Sequence, residues 1–435
     1  MSLADLDKQV LWHPFTPQHR WVDSAPLVIE HADGCMLYDI DGNEYIDGVS
    51  SLWTNVHGHR HPKLDQAIRD QLDKMAHSTM LGLTHPTAIQ FASRLVDVTP
   101  AGLSRVFYSD SGSTATEIAV KMAFQTQQHR GETHRTRFAT LRDAYHGDTI
   151  GAVSVGGIDA FHAIFRPLLF PTTALPAPVQ PGGEEERECL RIALDLLERE
   201  AHTLAALIVE PLVQGAAGMK MHTTAYLEPL LKRARQLGVL VIADEVAVGF
   251  GRTGTLFAME QVDFVPDFLC LAKGISGGYL PLAATLATEA VYEAFLGAPE
   301  DNRQFFHGHT YTGNPLACAV ALASLQIFYD DHVLDNVAAR AAQLSTSLAD
   351  LRRSPSVRAT RHKGVMAAID LRDPTGSDLP PDTGHKVSMA ARRHGVILRP
   401  LGNTLVINPP LSIDAAHLDR LMQCTRAAIQ DVLPA

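Results

Sequence analysis

The sequence predicts an α/β fold: a large unit with a mainly parallel sheet flanked by helices, followed by a smaller α+β unit. Three observations carry this reading. Short, almost wholly apolar runs recur at Ala205–Glu210 (AALIVE), Val239–Asp244 (VLVIAD) and Phe268–Ala272 (FLCLA), and such continuous runs belong to sheets covered on both faces. Helical periodicity fills stretches between them, as at Tyr226–Leu237, which stops at Gly238. Beyond about residue 325 the rhythm changes to one long helix and then shorter strands and helices.

Taken in order, the opening reads as an irregular arm. Gly34–Asp47 alternates around Asp41-Gly42, a two-residue hairpin signal. Pro62–Met75 places Leu64, Ile68, Leu72 and Met75 on one helical face, with Pro62 in the first turn. Arg105–Ser109 is a short strand, and Ser113–Gln128 a helix whose Ile118, Ala119 and Met122 point one way. The charge run Glu184–Arg187 reads as a solvated helix start. The smaller unit opens on a helix at Val333–Leu351 and a strand at Met366–Leu371. A loop with three prolines (Arg372–Thr383), a helix near His385–His394, strands at Val396–Arg399 and Leu405–Asn408, and a final helix complete it.

At 435 residues the chain is long enough for two or three domains with large cores. Apolar residues at 46% and charged residues at 20% are globular values and argue against disorder. Lys plus Arg is 37 and Asp plus Glu is 48, a net charge of −11. That excess of acid disfavours nucleic acid or an anionic membrane as a partner, because both are bound through basic residues. The longest apolar stretch, Leu316–Ala323, is too short to cross a bilayer. Residues 1–30 show no hydrophobic signal core, so a cytoplasmic location is expected. Cys35, Cys189, Cys270, Cys318 and Cys424 are scattered and include no CxxC pair, which favours reduced thiols over disulfides or zinc.

Asp244 and Lys273 are the best chemical pair in the sequence. Each follows directly, or nearly so, on a short buried strand, and open α/β sheets bind ligands at the carboxyl ends of their strands. A carboxylate placed there needs a cation. A desolvated lysine beside Gly274, Gly277 and Gly278 can form a Schiff base. Asp110-Ser111-Gly112-Ser113 lies between a strand and a helix, a setting that suits phosphate. Spacing alone leaves open the plainer reading, in which both residues cap strands and the Ser/Gly turn caps a helix. His57, His59 and His61 alternate, as do His307 and His309. Glycine interrupts both runs, which favours hydrogen-bonded loop histidines, and no metal is expected.

A lysine, an acid and a phosphate cradle together match the needs of pyridoxal 5'-phosphate. In DEVAVGFGRTG (Asp244–Gly254) and CLAKGISGGYLPL (Cys270–Leu282) the chain resembles the class III pyridoxal-phosphate aminotransferases. DSGSTATEIAVKMA, YHGDTIGA, IVEPLVQGAAG and HTYTGNPLACA match in the same order, so the resemblance spans nearly the whole chain. It implies the pyridoxal-phosphate fold type I, with residues 55–325 as the large domain. Residues 1–54 would join residues 326–435 in the small one. It also implies a homodimer with shared active sites that works on a small-molecule amino donor and a keto acceptor.

Carried over by position, Lys273 would bind the cofactor and act as acid and base, and Asp244 would pair with its ring nitrogen. Tyr145 would stack on the ring. Gly112 and Ser113 would hold the phosphate, together with His309 and Thr310 of the partner. Phe15, Leu52, Trp53, Tyr145, Lys273, Gly308 and Arg399 would meet the substrate, Arg399 through its carboxylate. Asp148 and Arg252 match active-site segments. LWHPFT (Leu11–Thr16), SSLWTNVHGHRHP (Ser50–Pro62), HSTMLGLTH (His77–His85), FHGHTYTGNP (Phe306–Pro315) and LRPLGN (Leu398–Asn403) are most similar to one branch, which makes 7,8-diaminononanoate from 8-amino-7-oxononanoate for biotin. Members using S-adenosylmethionine typically carry tyrosine at the position of Phe15, tryptophan at Leu52 and proline at His309. These departures resemble a lysine-using branch and point to L-lysine as donor. Another ω-aminotransferase or an aminomutase is the alternative within the same fold.

Overall fold

The computed structural model describes residues 1–434. Its centre is a seven-stranded sheet in the order Leu103–Ser109, Ala283–Thr288, Phe268–Leu271, Leu240–Asp244, Leu204–Val209, Arg137–Leu141 and Thr172–Leu175. The last five of these are mutually parallel, and only Ala283–Thr288 runs against both of its neighbours. The three apolar runs read from the sequence lie side by side at the middle, wholly buried. Parallel strands need long crossovers, and these supply the helices that cover both faces. Gly112–His129 packs on one face; Pro86–Val98, Gly183–Glu200, Thr224–Gln236 and Pro315–Asp330 add to the cover. The carboxyl ends of six strands therefore gather along one edge, where the chain continues into Gly112, Tyr145, Glu210, Asp244 and Lys273.

Val357–Lys363, Met366–Leu371, Thr404–Ile407 and Arg399–Leu401 form a second, antiparallel sheet. A third sheet joins Ile29–Asp33, Met36–Asp39 and Glu44–Asp47 to Val396–Ile397 from near the other end of the chain. Cys35, Met36 and Ile46 accordingly share a core with Leu344, Leu398, Leu421 and Ile429.

Several expectations need correction. The opening is not irregular: it holds helices at Leu3–Val10 and Gln18–Asp23. The first is fixed by a local capping box between Ser2 and Asp5. Leu3, Leu6 and Val10 remain exposed on it, so no buried stripe marks the helix. The hairpin turn is wider than two residues, because the Asp39 carboxylate gathers the amides of Asp41 and Asn43. The strand expected over Val396–Arg399 breaks at Leu398 and serves two different sheets. Within the charge run, Glu186 is buried and accepts from Gly182 N, Thr223 N and Thr223 Oγ1. All five cysteines are free thiols.

Candidate active site

The edge formed by the strand ends opens into a cavity of about 330 Å³. It is lined by Gly112, Ser113, Tyr145, His146, Gly147, Glu210, Asp244, Val246 and Lys273 at the sheet. Phe15, Leu52, Trp53, Phe161 and Arg399–Gly402, from outside the central sheet, line it as well.

At the sheet end, Asp244 accepts from His146 Nδ1 at 2.7 Å and from Val246 N at 3.0 Å. Both side chains are buried, and His146 Nε2 has no partner among the described residues. Glu210 is also buried and accepts from Tyr145 N at 3.1 Å and Gly215 N at 2.9 Å. Its burial, reinforced by nearby Asp244, pushes its carboxyl up to about 7 although the neighbouring His146 opposes the shift. Lys273 begins a short turn after its strand, with a left-handed φ of 48° and Nζ 4.8 Å from the Trp53 ring centroid. It lines the cavity; enclosure by protein lowers its ammonium, and Asp244 and Glu210 offset part of that.

Ser111 caps the helix Gly112–His129 by accepting from Thr114 N. The amides of Gly112 and Ser113, in the first turn, have no intrahelical partner. Backbone packing is tight here. A Cβ on Gly112 would lie 2.5 Å from Val246 Cγ1, and one on Gly147 2.0 Å from Ser113 Oγ. Ser113 Oγ accepts from Asp148 N, and Tyr145 donates its hydroxyl to Asp148 at 2.7 Å. Burial and that acceptor both raise the Tyr145 phenol.

Around Leu52 and Trp53 the backbone is strained. Ser50, Ser51 and Trp53 all have positive φ, as does Phe15. Arg252 does not reach the cavity. It is fully buried and donates to Ser50 Oγ, Asn408 Oδ1, Pro409 O and Asn55 O, bracing the turn that carries Leu52 and Trp53. Arg399 is half-buried and has no ion-pair partner among the described residues.

Gly308, His309 and Thr310 are not among the lining residues of this chain's cavity; Gly308 and Thr310 are exposed, and His309 Nε2 is buried without a partner among the described residues. The alternating histidines find separate partners: His57 with Ser324, His59 with Asp47 and His61 with Asp331. His146, Glu210 and Phe161 line the cavity without having been singled out in the sequence. Glu210 carried the same signal as Asp244, an acid directly after an all-apolar strand.

The class III aminotransferase family model matches residues 18–429. The chain belongs to the class III aminotransferases. A relative from Nitratidesulfovibrio vulgaris, named adenosylmethionine-8-amino-7-oxononanoate aminotransferase, is 52% identical over 98% of this chain and 81% of its own length. A crystal structure of the enzyme of that name from Methanocaldococcus jannaschii superposes with a TM-score of 0.95, at 40% identity over 99% of both chains. An amine transaminase from an uncultivated Pseudomonas species, in its PLP-bound form, superposes with a TM-score of 0.90 at 36% identity, over 97% of this chain and 99% of its own. This class III aminotransferase has the pyridoxal-phosphate fold type I and depends on pyridoxal phosphate. The sheet end of its cavity fits that group: an amine, a buried carboxylate and first-turn amides converge where glycines leave room. No helix among the described residues is long and apolar enough to cross a membrane.

Proposed function

We propose that this aminotransferase converts 8-amino-7-oxononanoate to 7,8-diaminononanoate in biotin biosynthesis, with L-lysine preferred to S-adenosylmethionine as amino donor. The observation that carries the acceptor is one cavity lined by Lys273, Asp244 and Arg399 together with the apolar Phe15, Leu52, Trp53 and Phe161, in which Arg399 has no ion-pair partner among the described residues. A carboxylate at the far end of an aliphatic keto acid would answer Arg399. The names of the relatives agree with that acceptor. The donor rests on Phe15 and Leu52, both on the cavity wall. An aliphatic side chain at Leu52 offers a sulfonium cation no aromatic face, a contact worth ~0.5–2 kcal/mol.

In this reading Lys273 holds pyridoxal phosphate, Asp244 pairs with its ring nitrogen, and Gly112 and Ser113 hold its phosphate. Bound there, the cofactor supplies an electron-withdrawing ring that stabilises negative charge at the substrate carbon. Lys273 Nζ, its ammonium weakened by enclosure, takes the proton from the donor's carbon and returns one to the acceptor's. His146 keeps the Asp244 carboxylate in place. Tyr145, tied to Asp148, packs over the cofactor ring. Trp53 and Arg399 orient the substrate, with Phe15 and Leu52 completing the wall. Gly308, His309 and Thr310 serve the partner's site in a cytoplasmic homodimer. The chain divides into a large domain of residues 55–325 and a small one of residues 1–54 with 326–435, a division supported by the sheet that both termini share.

The test is a panel of amino donors against 8-amino-7-oxononanoate, with the product identified by mass. Diaminononanoate formed faster from L-lysine than from S-adenosylmethionine is expected. Fast conversion with S-adenosylmethionine and none with lysine would reverse the donor assignment alone; no diaminononanoate with any donor would remove the acceptor. In the same assay Lys273→Ala should lose at least ~10²-fold in rate along with the visible absorbance of the bound cofactor.

A further inference from the structure

Phe161 is an aromatic cavity residue with no part in the roles above. Phe161 lies on the short helix Asp159–His162, and its ring enters the same space as Phe15, Tyr145 and Arg399. It meets Phe15 edge to face at 5.5 Å between centroids and Tyr145 at 6.4 Å. The segment is anchored at its root by Gly157 N to Ala144 O and beyond the helix by Phe170 N to Ser154 Oγ. Ile164 and Leu168, between those anchors, point to solvent, whereas Phe161 turns inward. His162 follows it into the interior, stacked on Tyr145 at 5.9 Å, so the inward turn is held on both sides.

We propose that Phe161 is a specificity-determining residue: with Phe15 it forms an apolar wall that selects the keto acceptor by the methylene chain joining its carboxylate to its reacting carbon. This rests on the acceptor reading above and adds to it a residue and a rule. The ion pair with Arg399 rewards the carboxylate itself and gains nothing from burying the methylenes that join it to the reacting carbon. Aromatic faces do measure it, since each methylene removed from water adds about fourfold to affinity. Phe161 is the lining residue contributed by this segment. Its truncation therefore removes wall area without touching Lys273, Asp244 or Arg399.

The experiment compares holoenzymes of the wild type, Phe161→Ala and Phe161→Leu on ω-carboxylated α-amino ketones of increasing chain length, 8-amino-7-oxononanoate among them. The donor half-reaction, followed by bleaching of the cofactor's visible absorbance, is recorded for each with the donor the wild type accepts. Phe161→Ala should raise KM for the longest acceptor by roughly tenfold and flatten the dependence of KM on chain length, a larger change than any in the rate of the donor half-reaction. Phe161→Leu, which keeps apolar bulk, should recover most of the slope. An equal rise in KM at every chain length, or no rise, would overturn the proposal, as would a slope that Leu does not recover. If the wild type itself uses none of the series, the acceptor reading falls first and the wall falls with it.

Discussion

His57 shows what burial does to a single group. Enclosed beside Phe328, Ser324 and His61, it is pushed down to about 3 from an ordinary 6.5, chiefly by loss of solvent and next by repulsion from His61. As pH falls below 6.5 the unfolded chain takes up this proton and the folded chain does not, so stability is lost from there down to about pH 3. The loss amounts to at most about 1.4 kcal/mol per pH unit. His57→Gln, which can still reach Ser324, should show a smaller fall in Tm between pH 6.5 and 4 than the wild type. His222, lowered to about 4 by its own burial, would keep part of the slope in the variant. Equal slopes in differential scanning calorimetry would contradict this. At this scale the sequence exposed residues whose position follows from a strand end, such as Asp244 and Lys273. It hid His146 and Phe161, because their inward turn depends on what packs around them. Arg252 shows the same limit. Its motif marked it, yet only tertiary packing makes it a brace for the cavity wall.

Elements were legible in proportion to their apolar contrast. The three central strands and the helix Val333–Leu351 stand out because burial demands continuous or periodic apolar residues. Ala283–Thr288 was not singled out. Its AATLAT is small-residued, and Thr285 meets its needs by donating to Ala115 O, a contact no local pattern announces. The turn at Gly147 joins element to site. Its φ of 122° and its approach to Ser113 leave room for glycine alone. Gly147→Ala should force the turn away from the start of the helix Gly112–His129, since its Cβ would also stand 2.7 Å from Ser113 Cα. We expect cofactor affinity to fall at least about tenfold, a loss of ~1.4 kcal/mol. Absorbance titration of the apoenzyme with pyridoxal phosphate measures it, and wild-type affinity would refute the cradle.

At the scale of the molecule, residues 308–310 present a feature that one chain does not use. They lie outside this chain's cavity, two of the three in solvent, although the family resemblance implies a place for them in an active site. The homodimer reading assigns them to the neighbouring copy. Light scattering should accordingly give twice the mass of one 47.3 kDa chain. Thr310→Ala should weaken cofactor retention, and a stable, fully active monomer would refute the shared site. Neither the joining of the two chain ends nor the expected homodimer was written in local pattern; both are implied by the resemblance, because pairings across a whole chain leave no periodic mark.

The sheet that ties the beginning of the chain to its end also fixes an order of events during synthesis. Ile46 pairs with Val396, so 350 residues separate the two partners. At ordinary rates of translation the hairpin at Met36–Asp47 waits roughly 20 to 70 seconds for its fourth strand. The strands of the central sheet all lie between residues 103 and 288 and can pair during that interval. Met36 and Ile46, buried in the finished molecule, must meanwhile be shielded on the ribosome by something other than their native neighbours. The last helix, Ala415–Val432, brings Leu418, Leu421 and Ile429 to that core. The hairpin at Met36–Asp47 thus gains its full set of neighbours only after Ala415–Val432 has been made.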